Sequence, residues 1–170
     1  MEKRCIIVSG GRPGPAPQPQ PGDFVIACDR GYRYCAGLGL QPDLFIGDFD
    51  SYDGAVDPAV PVERLQPEKD DTDTQLAVDT AISRGADEIY IIGGLGGRLD
   101  HTLSSVFLLE YIADRGAGAV MTDGQSRVRV MKTAGEPVTF MIPKTFDGEN
   151  GFKYLSIVSL TDECEGVRIS

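Results

Sequence analysis

The sequence predicts an α/β fold, a mainly parallel sheet flanked by helices, passing into an all-β region after about residue 123. Three observations carry this expectation. Short β-branched runs alternate with helical patterns through the first two-thirds of the chain. Two of the intervening segments place apolar residues at helical spacing and stop at a glycine, Gly85 and Gly116. Beyond residue 122 the alternation ceases, and apolar runs are separated only by Gly/Pro turns. Right-handed crossovers through the two helices make the strands they join parallel. The expected domains are therefore 1–123 and 124–170.

Cys5–Val8 is a short apolar run closed by Ser9-Gly10-Gly11. Residues 12–22, RPGPAPQPQPG, predict an exposed loop, because proline cannot pair in a sheet interior. Phe24–Ala27 is the second strand, followed by Asp29-Arg30-Gly31 and a short helix around Tyr32–Leu38. Asp43–Ile46 is the third and leads directly into Gly47-Asp48-Phe49-Asp50-Ser51; Val60–Leu65 is a weaker fourth. Thr72 and Gln75 have the spacing of a capping box, and Leu76, Ala77, Thr80 and Ala81 continue at helical spacing. Glu88–Ile92 is the fifth strand, closed by Gly93-Gly94-Leu95-Gly96-Gly97-Arg98. A second helix is expected from Leu103 to Arg115, with Leu103, Val106, Phe107 and Ile112 on its buried face. Ala119–Thr122 is the sixth strand, and Ser126–Met131, Val138–Ile142 and Tyr154–Leu160 are the strands of the all-β region.

A chain of 170 residues fits one domain, or one domain and a smaller appendage. Sixteen Lys+Arg against 26 Asp+Glu leave a formal charge of -10, which disfavours nucleic acid and anionic membranes as partners. An acidic chain that binds phosphates must bring a cation. The four cysteines, Cys5, Cys28, Cys35 and Cys164, form no C-x-x-C pair and predict reduced thiols. No stretch is apolar enough to span a membrane, and Cys5–Val8 is too short for a signal peptide, so the expectation is a soluble, cytoplasmic protein.

Ligands of open α/β sheets bind outside the carboxyl ends of the strands. The residues just past each strand therefore predict a site: Asp29, then Asp48 and Asp50, then Asp70, Asp71 and Asp73, then the glycine-rich loop with Arg98, Asp100 and His101. Paired carboxylates suit magnesium, which takes one or two of them together with substrate phosphates. In extended geometry Asp48 and Asp50 would share one side, with Phe49 turned into the core; a solvated, Asp-capped turn is the competing reading. Asp70, Asp71 and Asp73 equally fit the acidic first turn of a helix. The glycine loop offers unobstructed amides to phosphates, or is simply a tight connection. It lacks the Gly-Lys-Ser/Thr of a P-loop, and Leu99 breaks the dinucleotide fingerprint. Neither a nucleophile elbow nor zinc-ligand spacing is present in the sequence.

Three stretches together, residues 28–51, 67–78 and 93–106, resemble the thiamine pyrophosphokinase family in order and spacing. The resemblance implies transfer of a diphosphoryl group from ATP to the hydroxyl of thiamine, with release of AMP. It implies a Rossmann-like nucleotide domain followed by a thiamine-binding β-sandwich, magnesium as cofactor, and a homodimer. Asp48, Asp50 and Asp70 would hold the metal, Asp73 would support them, and Asp29 would line the cleft. Ser51, Thr72, Gly94, Gly96, Gly97, Arg98, Asp100, His101 and Thr102 would contact ATP or orient the substrate. Asp73 or Asp100 would accept the hydroxyl proton. Arg30 replaces a glycine of the family pattern. The family's β-domain continues past the point at which this chain ends, so a truncated sandwich with exposed strand edges and apolar surface is expected. A diphosphokinase for another hydroxymethyl heterocycle, such as a pterin, and a non-catalytic nucleotide- or thiamine-binding protein are the alternatives.

Overall fold

The computed structural model describes residues 3–49, 52–64, 72–133, 138–141, 153–161 and 163–168. The chain divides into two compact units, residues 1–138 and 139–170.

The first unit is built on β1 (Arg4–Val8), β2 (Phe24–Cys28), β3 (Leu44–Gly47), β4 (Val62–Arg64), β5 (Glu88–Ile92), β6 (Gly118–Thr122) and β7 (Arg127–Val128). Their order across the sheet is β4-β3-β2-β1-β5-β6-β7. All neighbours pair in parallel except β6 and β7, which are antiparallel. Register is carried centrally by Ile6, opposite Val25 on one side and Tyr90 on the other. The strands are continuous apolar runs because both faces are covered. One face sends Cys5, Ile7, Ile26, Ile46, Ile89, Ile91 and Met121 against α2 (Asp73–Ser83) and α3 (Leu99–Asp114). The other buries Ile6, Val8, Val25, Ala27 and Ile92 beneath Cys35 and Leu40, which belong to and follow α1 (Tyr32–Cys35). A third cluster, Phe45, Tyr52 and Val60 with Phe49 packed against it, fills the β3 side.

The predicted helix at Tyr32–Leu38 is a single α-turn, α1, between two 3-10 turns. Thr72 caps α2 as expected, its hydroxyl accepting from the Gln75 amide at 3.1 Å. The other half of the capping box does not form: the Gln75 side chain donates to Asp79 instead.

Four expectations are corrected. The proline-rich loop is not wholly exposed; Gly14 is buried and Ala16 packs on the second sheet face, so this strap forms the β1–β2 crossover. Helix α3 begins at Leu99 rather than Leu103, which puts Asp100, His101 and Thr102 in its first turn. Its buried face is Leu108, Leu109 and Ile112, while Leu103 and Phe107 are 49% and 61% exposed. The strand expected at Ser126–Met131 shrinks to β7, which Asp123 turns back onto β6 by accepting from the Gln125 and Ser126 amides.

The second unit carries no helix or strand among its described residues, so the strands expected at Val138–Ile142 and Tyr154–Leu160 are not seen at 138–141 or 154–160. A strand needs a ladder partner and a covered face. Met141, Tyr154 and Val158 are instead 83%, 78% and 78% exposed. Local hydroxyl bonds, Ser159 to the Thr161 carbonyl and Thr161 to the Glu163 carbonyl, join neighbouring residues there.

Candidate functional site at the carboxyl edge of the sheet

The strand order reverses at β1, which has β2 on one side and β5 on the other. A crevice opens at such a reversal because successive crossovers leave on opposite faces. At this reversal stands the Ser9-Gly10-Gly11 turn, held by Ser9 N–H to the Ile92 carbonyl at 2.8 Å and Gly11 N–H to the Gly93 carbonyl at 3.1 Å. Ser9 is buried, and its hydroxyl lies 2.6 Å from that of Thr74 in the first turn of α2. Neither residue is among those expected from the sequence; a serine closing a buried strand before two glycines was the available signal.

From β2 the chain enters Asp29, a buried carboxylate with φ of 40°. Its Oδ1 accepts the Phe49 N–H at 3.3 Å, tying the β2 end to the turn after β3. Phe49 itself has φ of 68°, so the extended geometry expected through Asp48-Phe49-Asp50 does not hold. Its ring does face inward, 4.8 Å from Phe45, with the Arg64 guanidinium 4.6 Å from its centroid. Asp48 is half-buried beside it. Asp50, Ser51, Asp70 and Asp71 lie outside the described residues. Asp73 opens α2, and its carbonyl accepts from the Cys28 thiol at 3.6 Å, which brings the α2 start to the end of β2. Burial pushes the Cys28 thiol well above its ordinary value, with Asp73 and Asp29 adding to the effect.

After β5, Leu95 is buried and anchors the glycine loop to the core. Gly96 and Gly97 come next with φ of 82° and 76°, a double left-handed bend that only glycine adopts cheaply. Arg98 then forks onto Asp100, Nε to Oδ1 at 3.1 Å and Nη2 to Oδ2 at 2.6 Å. That pairing holds the Asp100 carboxyl below its ordinary value. Thr102 donates back to the Gly96 and Arg98 carbonyls, and His101 is exposed.

Asp29, Asp48, Asp73 and the loop Gly94–Arg98 thus gather at the carboxyl edge, together with Asp100, His101 and Thr102 at the start of α3. An all-oxygen donor set of carboxylates is hard and anionic, the chemistry that suits magnesium rather than a softer metal. Among the described residues no three acidic, His or Cys groups are placed to hold an ion; Asp50 and Asp70, two of the three expected ligands, fall outside them. A recess of about 760 Å³ lies at the opposite edge around Arg4, Asp23, Phe24 and Arg84. Its charges are already engaged, Arg4 with Asp23 and Arg84 over the Phe24 ring, so it is a less apt ligand site.

An open, mainly parallel α/β domain with acidic and glycine-rich loops collected at a strand-order reversal is the class defined by these features. Residues 20–121, more than half of the chain, match the family described as "Thiamin pyrophosphokinase, catalytic domain", and the chain belongs to that family. It is 38% identical over 89 residues to the thiamine pyrophosphokinase of Bacillus subtilis, a stretch covering 49% of this chain and 42% of that protein. It is 30% identical over 98 residues to thiamin pyrophosphokinase 1 of Caenorhabditis elegans, covering 54% of this chain and 40% of that protein. The crystal structure of the Bacillus subtilis enzyme superposes with a TM-score of 0.61 at 28% identity, covering 74% of this chain and 62% of that one. A thiamin pyrophosphokinase from Geobacillus thermodenitrificans gives 0.58 at 30% identity, with 69% and 59% covered. The matched stretch therefore spans about two-fifths of each curated relative.

Proposed function

We propose that the protein transfers a diphosphoryl group from ATP to the hydroxyl of thiamine, yielding thiamine diphosphate and AMP, with magnesium as cofactor. The observation that carries this is the gathering of Asp29, Asp48 and Asp73 with the Gly94–Arg98 loop at one sheet edge, in a chain of this family. Asp48, with Asp50 and Asp70, would hold the metal, which when bound offsets phosphate charge and orients the β-phosphoryl group.

The chain's own groups do the remaining work. The amides of Gly94, Gly96 and Gly97 donate to phosphate oxygens, and Arg98 adds a guanidinium that exchanges Asp100 for phosphate. Ser51, Thr72, His101 and Thr102 supply further polar contacts to ATP or the substrate. The thiamine hydroxyl oxygen attacks the β-phosphorus, the bond to the departing AMP oxygen breaks, and the hydroxyl proton goes to a carboxylate. Asp73 and Asp100 are the two candidates for that last role, Asp100 becoming free to take it once Arg98 has turned to phosphate. Residues 124–170 would begin the thiamine-binding β-sandwich, and the working form would be a cytoplasmic homodimer.

Incubation with ATP, magnesium and thiamine, followed by chromatographic detection of AMP and thiamine diphosphate, tests this. Both products should appear and vanish on chelation of the metal. AMP release with a pterin and not with thiamine would transfer the assignment to a different hydroxymethyl acceptor.

A further inference from the structure

Asp29 and Phe49 are the two non-glycine residues with positive φ among those described, and they are bonded to each other. Left-handed backbone at such residues persists only where surrounding contacts over-determine it. Here those contacts are visible at both ends. The Phe49 ring is gripped between Phe45 and the Arg64 guanidinium. The Phe49 amide is gripped by a carboxylate only 6% exposed. Gly47 completes the fit: a Cβ there would lie 1.9 Å from Asp29 Oδ1 and 2.6 Å from its carboxyl carbon. The turn between the two expected metal carboxylates is thus shaped around the Asp29 side chain.

The geometry points to Asp29 as a positioning residue whose carboxylate oxygen holds the Gly47-Asp48-Phe49 turn, rather than as a ligand itself. The functional consequence rests on the proposed magnesium site; the structural content does not. A ligand uses the negative charge of the carboxylate. A positioning residue uses the oxygen that accepts the Phe49 N–H, and an asparagine retains that oxygen without the charge.

Two measurements on the full chain separate these roles: Mn2+ titration followed by electron paramagnetic resonance, and metal-free amide exchange at Phe49 followed by NMR. Asp29→Asn should stay within about threefold of the parent Mn2+ affinity and keep Phe49 protected. Asp29→Ala should weaken Mn2+ by about tenfold or more, the usual effect of removing a residue that orients ligands, and should expose the Phe49 amide. Gly47→Ala should behave like Asp29→Ala, and the double variant should lose little beyond either single change, as residues of one contact do.

Equal Mn2+ loss in the Asn and Ala variants, with Phe49 protected in both, would make Asp29 a ligand and overturn the inference. Unchanged affinity and protection in Asp29→Ala would overturn it as well. A parent protein that binds no Mn2+ would sink the magnesium reading, and Phe49 exchange in the two variants would still decide the positioning role.

Discussion

The two edges of the sheet are built on different terms. At the amino edge polar groups satisfy one another: Arg4 and Asp23 meet at 2.5 Å, Arg129 bonds Glu88 at 2.9 Å, and Asp87 and Asp43 accept the Lys3 and Val25 amides. At the carboxyl edge the backbone is bent into left-handed residues, a carboxylate is buried, and Asp29, Asp48 and Asp73 all follow strand ends or open a helix on that edge. Both edges close the same strands, so strand packing does not explain the contrast. Backbone strain and gathered like charges cost stability, and they concentrate where a site has been built at the expense of local fit.

The largest effect expected comes from the packing beneath the carboxyl edge. Phe45→Ala removes the ring on which Phe49, Tyr32 and Tyr52 rest, and should cost about 3–5 kcal/mol in denaturant or thermal unfolding. A loss below about 1 kcal/mol would mean that this ring supports little of the edge.

Arg4→Ala should follow, at about 3 kcal/mol, because it leaves Asp23 (side chain 7% exposed) without its cation. This effect has a pH signature. Burial raises the Asp23 carboxyl, but the Arg4 and Gln20 hydrogen bonds and the Arg4 charge outweigh it and hold the group below its ordinary 3.8. A depressed folded value means stability that is present above the unfolded value and lost as pH falls through the folded one. Parent and Arg4→Ala melting temperatures should therefore converge in acid below about pH 4. A gap that stays constant down to about pH 2 would assign the loss to packing of the arginine stem instead.

Asp48→Asn sharpens the contrast from the other side. Turnover should fall by about 100-fold or more, since even residues that only support a metal ligand cost roughly 10–100-fold, while stability stays within about 1 kcal/mol. Retained thiamine diphosphate formation would remove Asp48 from the metal set. The smallest effect is that of Thr72→Ala, about 1 kcal/mol for a lost helix cap, read by unfolding.

Much of the first unit was legible in the sequence. Apolar runs bounded by glycine marked β1, β2, β3, β5 and β6 to within a residue or so, and Thr72 announced α2 through its own hydroxyl. The buried face of α3 was misjudged because Leu103, Val106 and Phe107 share a helical stripe with no local sign of which stripe meets the sheet. Its start was hidden as well, since Asp100, His101 and Thr102 interrupt the apolar period that marks a helix.

Acidic residues and a glycine loop placed after successive strands are properties of sequence order, so the sequence alone determined at which sheet edge Asp29, Asp48, Asp73 and the glycine loop collect. Tertiary structure alone decided the rest. The proline strap crosses the second sheet face, β7 turns back on β6, and Asp29 reaches across 20 residues to fix Phe49 in a conformation that its own φ preference opposes. The physical reason is the same in each case. Periodicity and turn chemistry act over a few neighbouring residues, whereas a strained turn or a covered face is decided by which distant partner supplies the compensating contact.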